Sequence, residues 1–384
     1  MPMMTSKERL RAAMVGQPVD RPPIWLREGF DSTPLPARAG KPLRGWQADP
    51  VYRDLVEFAR PHCSTIVAWS PGRHFNRRLA VAPRHLHNKT TTQADGTQIT
   101  ESWIETPGGR LTEVSRRSPD VNTSWKLKPL ATTCQELEAL LALPYELEPV
   151  NLSGYHAARE KAGDMGLPQL GISSPCVVIS GCLHLEDFLL LAGTEQSFMR
   201  ECLEVITSRF LATIDAIFAQ GPLDTIGWMG GAEQCTPPLM RPESYDEYVA
   251  PYDGQIVAAL KKHGVQALQC HCHGKVRHAL SCMTAIGFSA TDPVEPPPAG
   301  DVTIAEARAI VGDRMTLMGN FEFDELERSE PEHIRRRTRE ILSEAGPRRL
   351  VLAASAGPIS RMTPRLAANY RAWIETALEM SAKG

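Results

Sequence analysis

From about residue 165 onward the chain alternates between short apolar runs and longer amphipathic stretches. The runs are "PQLGIS", "DTIGWMGG", "VQALQCHC", "FSATDPVE", "MTLMGN" and "RRLVLAAS". Each is of strand length and rich in buried-type residues. Between them lie "EQSFMRECLEVITSRFLATIDAIFAQG", "ESYDEYVAPYDGQIVAALKKHG", "KVRHALSCMTAIG", "TIAEARAIVG", "PEHIRRRTREILSEAG" and "PRLAANYRAWIETALEM". These carry apolar residues at helical spacing, and several end on glycine, the usual residue just past a helix. Strand–helix alternation sustained over this length predicts a parallel sheet. Two earlier runs, "PPIWL" (22–26) and "STIVAW" (64–69), bring the strand count to about eight. That is the number a (β/α)8 TIM barrel requires. The expectation is one α/β barrel domain spanning residues 1–384.

Residues 75–128 break the rhythm. They alternate polar and β-branched positions, with turn signals at "ADGT" and "TPGGR". The pattern predicts β-hairpins inserted after the second barrel strand, as a lid or side wall over the mouth or as a purely structural flap. The proline run "PVEPPPAGD" (293–301) is too short for a linker and reads as a rigid loop after a strand.

Composition narrows the class. With 384 residues, 42% of them hydrophobic, the chain can bury a large core. A net charge of −3 supplies no basic stripe for nucleic acid. No run of eighteen apolar residues predicts a membrane span. The opening "MPMMTSKERLRAAM" reads as a charged amphipathic helix without the apolar middle of a signal peptide, so a cytoplasmic location is expected. The nine cysteines then read as mostly reduced and buried, with a minority available for metal or redox work.

The densest chemistry sits in "LQCHCHGKVRHAL", residues 268–280. Alternate residues of a strand face opposite sides. Gln269, His271 and His273 therefore share one face, and Cys270 and Cys272 the other. Cysteine behaves as a small hydrophobe and suits the strand–helix interface. Imidazole suits the mouth, and active sites of these barrels lie at the C-terminal strand ends. The segment thus reads as an inward-facing H-x-H, with Gly274 turning the chain into the next helix. Two such histidines can ligate one zinc or other borderline divalent ion. The alternative is a pair of satisfied polar histidines that bind an anionic substrate without metal.

Other strand ends supply companions: Arg27 and Glu28, Glu233, Asp292 and Glu295, Asn320 and Glu322, Ser355 and Ser360. Each alone reads as loop polarity, whereas their convergence on one mouth points to a site. Trp25, Trp69 and Trp228 also fall at strand ends, where they either line a planar-substrate pocket or pack the core.

Over nearly its whole length the chain resembles the uroporphyrinogen decarboxylase superfamily. The resemblance rests on "SKERLRAAMVGQPVDRPPIWLREGF", "HCHGKVRHAL", "DPVEPPPAGDVTIAEARAIVGDRMTLMGN" and "SAGPISRMTPRLAANYRAWIETALE". It implies a single (β/α)8 barrel with its site at the C-terminal mouth. The decarboxylase branch uses an "M-R-Q-A-G-R" loop after strand one to hold substrate carboxylates, together with a nearby aspartate. Here the loop is "LREGF", where Arg27 matches the first arginine, and "AWSPGRHF" after strand two lacks the aspartate. The corrinoid- and coenzyme M-type methyltransferase branch binds zinc through H-x-C-G on the strand of His271 and a distant C-terminal cysteine. His271 matches that histidine, His273 stands in place of the first cysteine, and Ser355 lies roughly where the second belongs.

The resemblance therefore implies a zinc-dependent methyltransferase that exchanges a methyl group between a small substrate and a thiol or a corrinoid on a partner protein. His271, His273 and Glu233 are the expected metal ligands. Arg27 is the expected anchor for a substrate carboxylate, and Glu233 or Glu295 a ligand or general acid–base. The alternatives are a cofactor-free decarboxylase or lyase acting on a carboxylated, tetrapyrrole-like substrate, and a tetrapyrrole or corrinoid carrier. Pairing of two chains is the expected assembly.

Overall fold

The computed structural model describes residues 3–27, 30, 48–71, 83–119, 124–147, 149–346, 348–358 and 362–382. Glu28, Ser360 and part of the 75–128 stretch lie outside the described residues.

Twelve strands occur among them: β1 (Ile24–Trp25), β2 (Thr65–Trp69), β3 (Leu86–Thr92), β4 (Gln98–Thr106), β5 (Gly109–Arg117), β6 (Trp125–Lys128), β7 (Gly166–Ser173), β8 (Ile226–Gly230), β9 (Leu268–His271), β10 (Ala290–Asp292), β11 (Thr316–Phe321) and β12 (Leu350–Ala354). Eight of these form one sheet in the order β1-β12-β11-β10-β9-β8-β7-β2, every pair parallel. Its two edge strands meet through a single bridge between Trp25 and Ser64, where the Ser64 N–H donates to the Ile24 carbonyl at 2.7 Å. The sheet is thereby a (β/α)8 barrel, with each predicted apolar run on its own strand.

The strands are apolar runs because both of their faces are covered. Outward residues such as Leu170, Ile172, Leu317 and Leu352 join Phe210, Ile256 and Leu280 from the surrounding helices in one large core. Inward residues form a second, smaller core at the N-terminal end, made by Trp25, Leu167, Ile226, Ala267, Ala290, Met318 and Val351. The helix Ser6–Val15 closes that end, burying Leu10 and Met14 against the same cluster. Its charged look comes from Lys7, Glu8, Arg9 and Arg11, of which Arg9 is buried and paired with Asp20 at 2.6 Å. Thr5 and Glu8 form a capping box at its start, and left-handed Gly16 ends it.

The stretch predicted as one helix over 243–264 is broken into Ser244–Tyr248 and Ala250–Lys262. The break has a local cause. Pro251 has no N–H to offer the Glu247 carbonyl one turn back, and its ring crowds that oxygen.

Between β2 and β7 in sequence, β3 to β6 form a separate four-stranded antiparallel sheet. Leu86 and Ile104 pack on Leu130 and Leu137 of the outer core, while the four residues of β6 are exposed.

Candidate functional site

Climbing the barrel interior along each strand, the inward positions change from apolar to polar. Leu167 is followed by Gln169, Ala267 by Gln269 and His271, Ala290 by Asp292, and Trp25 by Arg27. Gln169, Gln269, Asp292 and Arg27 are all buried. This polar layer is the floor on which the mouth is built.

Asp292 is its hub. It lies directly beside His271 in the register of β9 and β10. Gln269 Nε2 donates to its Oδ1, Arg27 Nη1 donates to its Oδ2 at 2.5 Å, and His271 Nδ1 lies 3.0 Å from the same oxygen. Burial pushes this carboxyl upward, but the charges and hydrogen bonds of His271, Arg27 and Gln269 outweigh it and hold Asp292 well below the usual carboxylate range. A carboxylate only accepts hydrogen bonds, so His271 carries its proton on Nδ1. Arg27 Nη2, at 3.5 Å from that nitrogen, is too distant to compete. Arg27 reaches this position with φ +67, a left-handed backbone that non-glycine residues adopt only under constraint.

His273 repeats the arrangement one step higher. Its Nδ1 lies 2.8 Å from Glu295 Oε1, and the other oxygen of Glu295 accepts from the Gly274 N–H at 2.5 Å. Gly274 has φ +85, so a side chain there would strain the turn that brings its N–H onto Glu295. Burial pulls the His273 imidazole down, but Glu295 and Glu233 outweigh it and raise its pKa above the ordinary value. Glu295 is pushed up by burial and brought below its ordinary value by His273. The rings of His271 and His273 stand 4.7 Å apart at 88°.

Glu233 closes the group. Its Oε1 accepts from the His273 backbone N–H at 3.1 Å. It follows β8 after Gly231, whose N–H donates to the His271 carbonyl at 2.6 Å; a Cβ on Gly231 would sit 2.6 Å from that oxygen. Only glycine permits this approach, and the approach brings Glu233 to the histidines. Ligand atoms of Glu233, His271 and His273 all lie within 4.8 Å of one another. With both Nδ1 atoms turned onto carboxylates, Nε2 is the atom each ring has for an ion. Carboxylate-backed imidazoles of this kind are the usual support of a metal-ligating histidine. The donor set fits zinc, which takes imidazole nitrogen and carboxylate oxygen.

The other candidates divide. Glu295 lies behind His273. Glu322 is half-buried; its Oε2 is buried without a hydrogen-bond partner, and burial followed by the charge of Glu295 raises its pKa. Asn320 donates to the Val294 carbonyl at 2.9 Å, and the Ser355 hydroxyl accepts from the Phe323 N–H at 2.9 Å, so both organise backbone. Of the three tryptophans, Trp228 alone faces the site, 5.4 Å from the His271 ring. Trp25 belongs to the lower core, and Trp69 packs on Tyr155 and donates to Thr225 Oγ1 at 2.9 Å. Cys270 and Cys272 are fully buried in the outer core, where burial raises both thiols far above their ordinary range.

These features define a class: a (β/α)8 barrel with a histidine–carboxylate centre at its C-terminal mouth. The chain belongs to the uroporphyrinogen decarboxylase family, whose model, described as "Uroporphyrinogen decarboxylase", matches residues 159–379. Among solved structures, a methyltransferase from Methanosarcina mazei aligns over 98% of this chain and 99% of its own, with 16% identity and a TM-score of 0.60. A B12-independent methionine synthase from Shewanella sp. W3-18-1, in complex with selenomethionine, aligns over 100% and 98%, with 12% identity and a TM-score of 0.44. No curated protein matches. Among the described residues, no single helix is long and apolar enough to cross a membrane.

Proposed function

We propose that the chain is a zinc-dependent methyltransferase, with the ion held by Nε2 of His271, Nε2 of His273 and the carboxylate of Glu233. The observation that supports this most is the shared support of the two imidazoles. Each gives Nδ1 to its own carboxylate, Asp292 or Glu295, and both stand with Glu233 at one point of the rim. The whole-length fold likeness to a methyltransferase supports the same class. Bound zinc supplies Lewis acidity at neutral pH, suited to a methoxy oxygen or a thiolate acceptor.

The remaining roles belong to the chain. Asp292, held ionised by Arg27, fixes the tautomer and orientation of His271. Glu295 and the Gly274 N–H fix His273. Glu322, whose buried Oε2 has no hydrogen-bond partner and whose pKa burial and Glu295 raise, stands beside the rim as the candidate general acid–base toward a polar group of the substrate. Trp228 offers an aromatic face next to His271. In this reading Arg27, paired with buried Asp292, acts as a positioning residue through Asp292 in place of the substrate anchor first expected. The methyl partner is a corrinoid protein or a small thiol.

The test is elemental. His271→Ala should lower the bound zinc by one ion per chain and remove methyl transfer from a methylcorrinoid or methoxylated substrate. An unchanged metal content in a folded His271→Ala protein would remove this reading. A second reading, a cofactor-free decarboxylase, draws on the convergence of Arg27 and His271 on Asp292, with His273 beside them. It predicts activity that survives exhaustive chelation.

A further inference from the structure

Away from the mouth, three side chains of metal-ligating type meet on the outer surface behind β9. His278 and Cys282 stand four residues apart on the helix Arg277–Ile286 and so share one face of it. Asp246, on the helix Ser244–Tyr248, faces them. His278 Nε2 lies 2.6 Å from Asp246 Oδ2, and Cys282 Sγ lies 3.2 Å from Asp246 Oδ1. The ligand atoms of all three residues lie within 4.8 Å of one another.

We infer that Asp246, His278 and Cys282 form a second site for a divalent transition metal, zinc by ligand class, with a remaining position open to solvent. A nitrogen, sulfur and oxygen donor set suits zinc, and the sulfur disfavours the hard ions calcium and magnesium. The spacing is close to what coordination needs. At zinc bond lengths of about 2.0–2.3 Å, tetrahedral ligand atoms stand about 3.3–3.7 Å apart. The sulfur–oxygen separation is already near this value, and the nitrogen–oxygen separation has to widen by about 1 Å or less. Asp246 and His278 are exposed and free to move that far, while Cys282 is buried and serves as the fixed point. When the ion enters, the Cys282 thiol gives its proton to solvent, and the Asp246–His278 hydrogen bond is replaced by bonds to the metal.

The site has a mechanical consequence. The helix of Asp246 precedes β9 in the chain, and the helix of His278 and Cys282 follows it. An ion between them clamps the two covers of the strand that carries His271. None of this depends on what the mouth binds.

Cobalt(II) separates this site from the one at the mouth, because only this one has a thiolate. The full chain is stripped with chelator and titrated with cobalt. The expected result is a near-ultraviolet sulfur-to-cobalt charge-transfer band that persists in His271→Ala and disappears in Cys282→Ser. Cobalt should also raise the Tm of His271→Ala but not of the double variant His271→Ala/His278→Ala. Asp246→Asn, an exposed substitution that keeps the fold, should weaken cobalt binding at least about tenfold if Asp246 is a ligand. Absence of the thiolate band from the folded wild-type chain, or its survival in Cys282→Ser, overturns the proposal and leaves a hydrogen-bonded surface triad.

Discussion

The two faces of β9 share a backbone, a length and a neighbourhood, yet they hold opposite chemistries. Inward, Gln269 and His271, with His273 just beyond the strand end, meet carboxylates and the open mouth. Outward, Cys270 and Cys272 are fully buried in the outer core, with the Tyr245 hydroxyl beside Cys270. Thiols are commonly the better zinc ligands, but here burial keeps them protonated and out of reach of the mouth. The imidazoles are less buried and each is backed by an acid. Residue type alone therefore does not choose the candidate ligands of this strand; the side on which each residue stands does.

The largest break in this contrast should come from His271→Ala. Removing an inward ligand should lower metal affinity by more than about 100-fold, beyond what loss of a supporting carboxylate costs. Isothermal titration of the chelated protein reads this directly. Next is Asp292→Ala, which removes the buried carboxylate that the Arg27 guanidinium faces. It should destabilise the fold by about 3–5 kcal/mol, measured by urea unfolding. Because the Asp292 pKa is depressed, its contribution is present above the ordinary carboxylate value and is lost only as pH falls through the lower folded value. The wild-type advantage over Asp292→Ala should thus hold from neutrality to below pH 4.

Glu295→Gln should weaken metal binding by about 10- to 100-fold. It also tests the sign of the His273 shift. A raised histidine pKa adds stability that is complete below its unfolded value of about 6.5 and disappears as pH rises through the higher folded value. The metal-free wild type should show that decline, and Glu295→Gln should flatten it. The smallest effect is expected from the outward face. Cys272→Ala should cost about 1 kcal/mol of stability and leave metal content unchanged. A Cys272→Ala protein that loses the metal bound at the mouth would reverse the contrast.

Much of the scaffold was readable because its signals are local. Each barrel strand is a short apolar run of its own, and the two-residue period of "LQCHCH" separates imidazoles from thiols before any fold is known. What escaped depends on distance along the chain. Nothing in the sequence sets the register that places Asp292 beside His271, and Arg27 meets Asp292 from the far side of the barrel. Glu233 and Glu295 look alike as loop carboxylates. They part only when Gly231 brings one against the His271 backbone and Gly274 turns the other behind His273. The break at Val249 had a visible cue in Pro251. The four-residue spacing of His278 and Cys282 was also visible, but Asp246 joins them only through helix packing.

Among the described residues the barrel is completed by one bridge between two-residue β1 and the segment leading into β2, whereas neighbouring strands elsewhere share two to five paired residues. Such a cylinder has a seam. Thermal opening should begin there, with the Ser64 amide exchanging its hydrogen sooner than amides of β11 or β12. Arg27 sits just past the short edge of that seam and is tied across the interior to β10, so the charge pair under the histidine rim is also the stitch that keeps the staves together.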